Sequence, residues 1–164
     1  MTYGSFVNGT GTKTSDIDIS LFTSSYVDER SILTFINAIL ENNLNQDEFK
    51  LKPILGDVKV PLIQIQHREK KIEAELIINN ILGYANSRLI YTYVNIDDKV
   101  KKLGVLIKVW SKKWEVSSQK RMTSYSLILM MIHYLQHKKF LPYLQSLNRE
   151  KNASSSKIDI KRSK

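Results

Sequence analysis

The 164-residue sequence contains no cysteine, which excludes a disulfide framework, a thiolate metal site and a cysteine nucleophile. It has no run approaching the roughly 20 apolar residues of a bilayer span, which excludes a helical membrane protein. Met1 leads into Thr2-Tyr3-Gly4-Ser5, not a basic segment followed by an apolar stretch, so no secretory signal is visible. The expectation is an intracellular location, cytoplasmic or nuclear. Internal repeats are also lacking. Acidic residues are in the minority, 16 against 25 Lys and Arg, for a net charge of +9. What remains is ordinary for a globular chain: 42% hydrophobic and 25% charged residues. A chain of this length folds as one large domain or two small ones and buries roughly 70% of its unfolded surface.

The charge is unevenly placed. Residues 1–80 carry a net −3, residues 81–150 a net +8 and residues 151–164 a net +4. Carboxylates on one side and cations on the other fit a metal-dependent site facing phosphates, although a positive surface alone is equally open to a bland reading.

The first half reads as a small mixed sheet with one helix. Ile17 to Phe22 begins as an alternating strand. Asp28 to Asn43 places Ile32, Phe35, Ile36, Ile39 and Leu40 at helical spacing. Val60 to His67 and Ile72 to Ile78 read as strands joined by a charged turn. The second half is helical. Val100, Leu103, Leu106, Ile107, Trp110 and Trp114 form one face of a helix from about Lys99 to Trp114. Tyr125 to Gln136 is a strongly apolar helix expected to be buried, with Leu141-Pro142 as its stop. Residues 148–164, rich in Ser, Lys and Arg, read as a disordered basic tail.

Side chains two apart on a strand share a face, so Asp16 and Asp18 present two carboxylates side by side. Such a pair takes a hard divalent cation, and two cations about 3.5–4 Å apart activate an attacking hydroxyl and neutralise a leaving pyrophosphate. Alone, the Asp-x-Asp is also compatible with a solvated turn. Gly4-Ser5 sharpens the reading, because glycine permits close backbone approach and serine offers an N–H and a hydroxyl to phosphate oxygens. The spacer Asn8 to Ser15 is polar and reads as flexible.

With these motifs the sequence resembles the DNA-polymerase-β-like nucleotidyltransferases, in particular the terminal uridylyltransferases and cytoplasmic-type poly(A) polymerases. The elements are Tyr3-Gly4-Ser5, Ser15-Asp16-Ile17-Asp18, Val60 to Ile63, Glu75 to Asn80, Leu106 to Trp110 and Thr123-Ser124-Tyr125, spread over residues 3–147. The resemblance implies an α+β fold: a palm-like nucleotidyltransferase domain over residues 1–80, then a partial helical central domain over 81–147. Helices that normally precede the Gly-Ser are expected to be missing, so that the chain is either a fragment truncated at both ends or a minimal form whose fold a protein partner completes.

The resemblance further implies that Asp16, Asp18 and Glu75 are catalytic and hold Mg²⁺ or Mn²⁺. The family normally has aspartate at position 75; the extra methylene moves the carboxylate outward by about 1.5 Å. Glu73, two residues earlier on the same face, is the alternative. Gly4, Ser5, Asn80, Asn86, Lys108, Lys112, Ser124 and Tyr125 are implied in nucleotide binding, with the two lysines and Ser124 on the triphosphate and Tyr125 stacked on the base. From the residues alone, each of these has a structural alternative: helix caps for the asparagines and Ser124, a solvated face for the lysines, a buried core position for Tyr125. His133 and His137, four apart on a helix, have no third ligand and read as structural.

The implied reaction adds nucleotides from ATP or UTP to an RNA 3′ end without a template. An inactive or partner-dependent homologue that binds RNA or NTP without turnover, and transfer to a non-RNA acceptor, are the alternatives.

Overall fold

The computed structural model describes residues 1–23, 28–52, 60–70, 72–116 and 122–146. The tail expected over 148–164 lies outside them.

Five strands form one sheet: β1 (Thr2–Tyr3), β2 (Ile17–Leu21), β3 (Phe49–Lys52), β4 (Ile63–His67) and β5 (Glu73–Ile78). Their order is β1-β2-β5-β4-β3, with β2 and β5 parallel and every other neighbouring pair antiparallel. Chemical alternation divides the sheet into two faces. Ile63, Ile65, Leu76, Ile78 and Leu51 pack against Leu33 of helix α2 (Glu29–Asn43). The opposite face carries Asp18, Glu75 and Gln64, and the parallel register sets Asp18 directly beside Glu75. Asp28 caps α2 through a 2.9 Å bond from Ser31 N–H.

Helix α2 buries only part of the expected stripe, centred on Leu33. Leu33 is fully buried, with Ile32, Ile36 and Leu40 beside it, whereas Phe35 is 67% exposed and Ile39 also faces outward. The strand expected from Val60 starts only at Ile63, because Pro61 has no N–H to give to the ladder.

A second core lies among helices α3 (Ile81–Val94), α4 (Asp98–Lys113) and α5 (Ser124–His137). Ile90, Tyr93, Val94, Val100, Ile128, Met131, Ile132 and Leu141 build it. The expected stripe on α4 is split by this packing. Val100, Leu103 and Ile107 meet the core, while Leu106, Trp110 and Trp114 are exposed. The small residues Gly104 and Ser111 take the buried positions instead, and a Cβ on Gly104 would come 3.3 Å from Thr10 Cγ2. Close backbone approach, not bulk, determines which side of α4 turns inward. Helix α5 is likewise buried on one side only, with Met130 and Tyr134 exposed. It ends at His137, before the expected Leu141-Pro142, and Lys139 then adopts a positive φ of 62°. Leu141 belongs to the core.

Candidate active site

A cleft of about 450 Å³ opens between the β1–β2 segment and helices α3, α4 and α5. Its first wall begins at Gly4, which opens the one-turn helix α1 (Gly4–Val7) with a positive φ of 72°. A Cβ placed there would lie 1.7 Å from Asp18 Oδ2, so no other residue lets the chain pass this carboxylate. Gly4 N–H donates to Ser87 Oγ at 2.7 Å, and that hydroxyl donates onward to Gly83 O at 2.8 Å. The start of α3 therefore fixes the glycine from behind. Ser5, Asp16 and Asp18 line the same wall.

The spacer between these motifs is pinned, contrary to the expectation of a flexible connector. Thr10 is fully buried and gives both its N–H and its hydroxyl to Asn8 Oδ1, at 3.0 and 2.7 Å. Thr12 N–H donates to Ser15 Oγ at 2.9 Å.

The facing wall comes from the helices. Lys108 Nζ donates to Ser15 Oγ at 2.9 Å and Lys112 Nζ to Thr14 Oγ1 at 3.2 Å, so both lysines line the cleft, Lys108 half-buried and Lys112 at its solvent-exposed edge. Asn86, Ser124 and Tyr125 complete the lining. Thr123, not Ser124, caps α5, its Oγ1 accepting from Ser126 N–H at 3.1 Å, and Ser124 is thereby released to the cleft. Burial pushes the Tyr125 phenol up from its ordinary value.

Two implied residues stand outside the cleft lining. Asn80 caps α3, accepting from Gly83 N–H at 2.9 Å, and its amide donates to Tyr3 Oη at 2.9 Å. Glu75 sits beside Asp18, and its Oε1 accepts from Gln64 Nε2 at 2.6 Å. Glu73 is engaged elsewhere, 3.5 Å from Lys52 Nζ. His133 and His137 lie in a shallow groove on the outer side of α5, away from the cleft.

The acidic wall is electrostatically crowded. Burial, then the neighbouring Glu75 and Asp16 carboxylates, raise the Asp18 carboxyl to about 6, and Lys108 across the cleft opposes them least. Burial lowers Lys108 from its ordinary value, partly offset by Asp16 and Asp18. Asp16 and Asp18 are hard oxygen donors on the same wall, the first exposed and the second half-buried, a pair suited to a divalent cation. Among the described residues no three His, Asp or Glu side chains gather tightly enough to hold an ion.

Sequence reasoning missed Ser87, Thr14 and Gln64. Thr14 was visible only as a member of a polar spacer, and Ser87 and Gln64 carry no local signal, since their roles depend on strand order and on α3.

Residues 1–95 match the family described as poly(A) RNA polymerase, mitochondrial-like, central palm domain. The chain belongs to this family. It is 34% identical over 172 residues to poly(A) RNA polymerase gld-2 homolog B of Drosophila melanogaster, covering 90% of this chain and 12% of that protein. With human poly(A) RNA polymerase GLD2 it shares 32% identity, covering 88% of this chain and 32% of the relative. The chain thus spans about a third or less of these relatives. Among solved structures, the non-canonical poly(A) polymerase complex GLD-2–GLD-3 superposes with a TM-score of 0.74 at 31% identity, over 89% of this chain and 49% of that one. The Cid1 poly(U) polymerase with Mg and 3′-dATP bound gives 0.71 at 26% identity, over 82% and 42%. Fold and family expectations are both met. Among the described residues no helix is long and apolar enough to cross a membrane.

Proposed function

We propose that this chain carries the nucleotidyl-transfer centre of an RNA 3′-terminal polymerase, adding AMP or UMP from the triphosphate without a template. The observation that carries it is the cleft itself. A pair of aspartates faces a pair of lysines across a space bounded by Gly4-Ser5 and Ser124-Tyr125, residues that lie far apart in the sequence.

Asp16 and Asp18 would hold the divalent cation, Mg²⁺ or Mn²⁺, with Glu75 as the third carboxylate. When bound, the cation supplies positive charge to the attacking hydroxyl and to the leaving pyrophosphate. Lys108 and Lys112, with Ser5 and Ser124, bind and orient the triphosphate oxygens. Tyr125 offers its ring to the base, and Asn86 lies within the same lining as a donor and acceptor for sugar or base. The new bond joins the RNA 3′ oxygen to the α-phosphorus, and the bond to pyrophosphate breaks. Asn80 supports this geometry through Tyr3 and α3. The exposed apolar sides of α4 and α5 are consistent with a protein partner, as the GLD-2 complex illustrates for that relative.

Primer extension tests the reading. A labelled RNA incubated with each NTP and Mg²⁺ or Mn²⁺ lengthens with ATP or UTP; folded protein that extends with neither metal overturns it. The tie between Glu75 and Gln64 favours a second reading, a homologue that binds NTP without turnover. Glu75→Asp separates the two: activity that appears only in the variant identifies the natural chain as a binder.

A further inference from the structure

The polar spacer between Gly4-Ser5 and the aspartates runs along one side of α4, and its contacts follow the turns of that helix. A Cβ on Gly9 would lie 3.6 Å from Lys101 Cε, and one on Gly104 would lie 3.3 Å from the buried Thr10. Ser15 then receives Lys108 Nζ at 2.9 Å, and Thr14 receives Lys112 Nζ at 3.2 Å. Lys101, Gly104, Lys108 and Lys112 follow one another at helical spacing, so they share one side of α4. The two lysine contacts differ in setting. Lys112 and Thr14 are exposed, whereas Lys108 and Ser15 are half-buried. Ser15 is also fixed from its own side: its Oγ accepts from Thr12 N–H at 2.9 Å, and its N–H donates to Thr12 O at 3.0 Å. The hydroxyl is thus held in place, and the lysine comes to it.

A lysine ammonium rides on a flexible four-carbon stem, and restraining it before a ligand arrives removes an entropy cost from binding. An ammonium has three N–H donors, so the one given to Ser15 leaves others for phosphate oxygens. Because the hydroxyl is neutral, it orients the ammonium without neutralising it, as a carboxylate partner would. We infer that Ser15 is a positioning residue for nucleoside triphosphate: its hydroxyl, fixed by the Thr12 turn, holds the Lys108 ammonium in the cleft ready for phosphate. The inference rests on the assignment of Lys108 to the triphosphate.

The test is binding of ATP and of UTP, with Mg²⁺ and without RNA, by isothermal titration calorimetry. Four proteins are compared: the natural chain, Ser15→Ala, Lys108→Met and the double variant. Ser15→Cys, whose thiol is only a weak acceptor, replaces Ser15→Ala if circular dichroism shows impaired folding. The expected result is about three- to fivefold weaker triphosphate affinity for Ser15→Ala in the natural background and a change under about 1.5-fold when Lys108→Met is already present. Ser15→Thr, which keeps the hydroxyl, binds within about twofold of the natural chain. Unchanged or tighter binding by Ser15→Ala overturns the inference, a tighter complex showing that the serine competes with phosphate for the lysine. Equal losses in both backgrounds also overturn it, as does a loss for Ser15→Thr as large as that for Ser15→Ala, because either marks a structural role that does not pass through Lys108. Failure of the folded natural chain to bind either triphosphate overturns the nucleotide reading of the cleft itself, and the inference with it.

Discussion

The two walls of the cleft carry opposite charges and face the same problem of desolvation, yet they solve it differently. On the sheet wall, Asp18 is buried next to carboxylates of its own sign, and its acidity is weakened to a value of about 6. On the helical wall, the Lys108 ammonium is equally removed from water and also meets a like charge in Lys112, but it rests on the Ser15 hydroxyl, and Asp16 across the cleft ranks next after burial among its influences. Attraction across the cleft is the weakest of the influences on Asp18, behind burial and the like charges of its own wall. Both walls are strained by burial and like charge, but the basic wall is better compensated by the opposite one, whereas the acidic wall is left short of positive charge, which a bound cation would supply. A site held in this way trades stability for readiness to bind.

The sharpest break of that comparison is Asp18→Asn. On the proposed function Asp18 is a metal ligand, and its loss is expected to reduce primer extension on the order of a thousandfold. The same variant should raise the thermal midpoint of the metal-free protein, since it removes a buried charge among like charges, and calorimetry without divalent ions checks this. A lowered midpoint would show that the acidic wall is not strained.

Gly4→Ala comes next, because its methyl group meets the Asp18 carboxylate and its backbone must keep a positive φ. Strain at such positions costs about 1–3 kcal/mol, to be read from urea unfolding curves. Lys108→Ala tests the basic wall. It should raise the KM for NTP on the order of tenfold, with a smaller change for Lys112→Ala, whose partner Thr14 is exposed and lies farther away. If kcat falls and KM does not change, the lysine acts in the transition state alone.

The smallest effect is that of pH. Metal binding needs the ionised Asp18 carboxylate, so Mn²⁺ affinity should fall roughly fourfold between about pH 7 and pH 5.5. The sign for folding is opposite. Because the folded-state value is raised above 3.8 to about 6, this group favours the metal-free fold most below about pH 4, and that contribution is lost as pH rises through about 6. Chemical denaturation across this range, with Asp18→Asn as the flat control, reads the slope.

Much of the fold was legible because it is local. Alternation announced β2, and spacing of three and four announced α2, α4 and α5. The short β1, the ladder strand β3 and the glycine-bearing α3 escaped, since two to four residues carry little periodicity and α3 mixes apolar residues around its circumference. Periodicity also told which residues of α4 are apolar but not which face is covered, so Trp110 and Trp114 were placed with the core and prove exposed.

The sequence by itself determined the chemistry: two aspartates two apart, a glycine that only a close approach requires, and hydroxyl and lysine groups suited to phosphate. Only the tertiary structure decided which of them share a space. Lys108 reaches Ser15 across 93 positions, and Gln64 reaches Glu75 because β4 and β5 are neighbours in the sheet. It likewise gave Asn80 to a helix cap, Asn86 to the cleft, and the capping of α5 to Thr123 in place of Ser124. The physical reason is that side-chain type and spacing fix what a residue is able to bind, whereas strand order and helix packing fix what it meets.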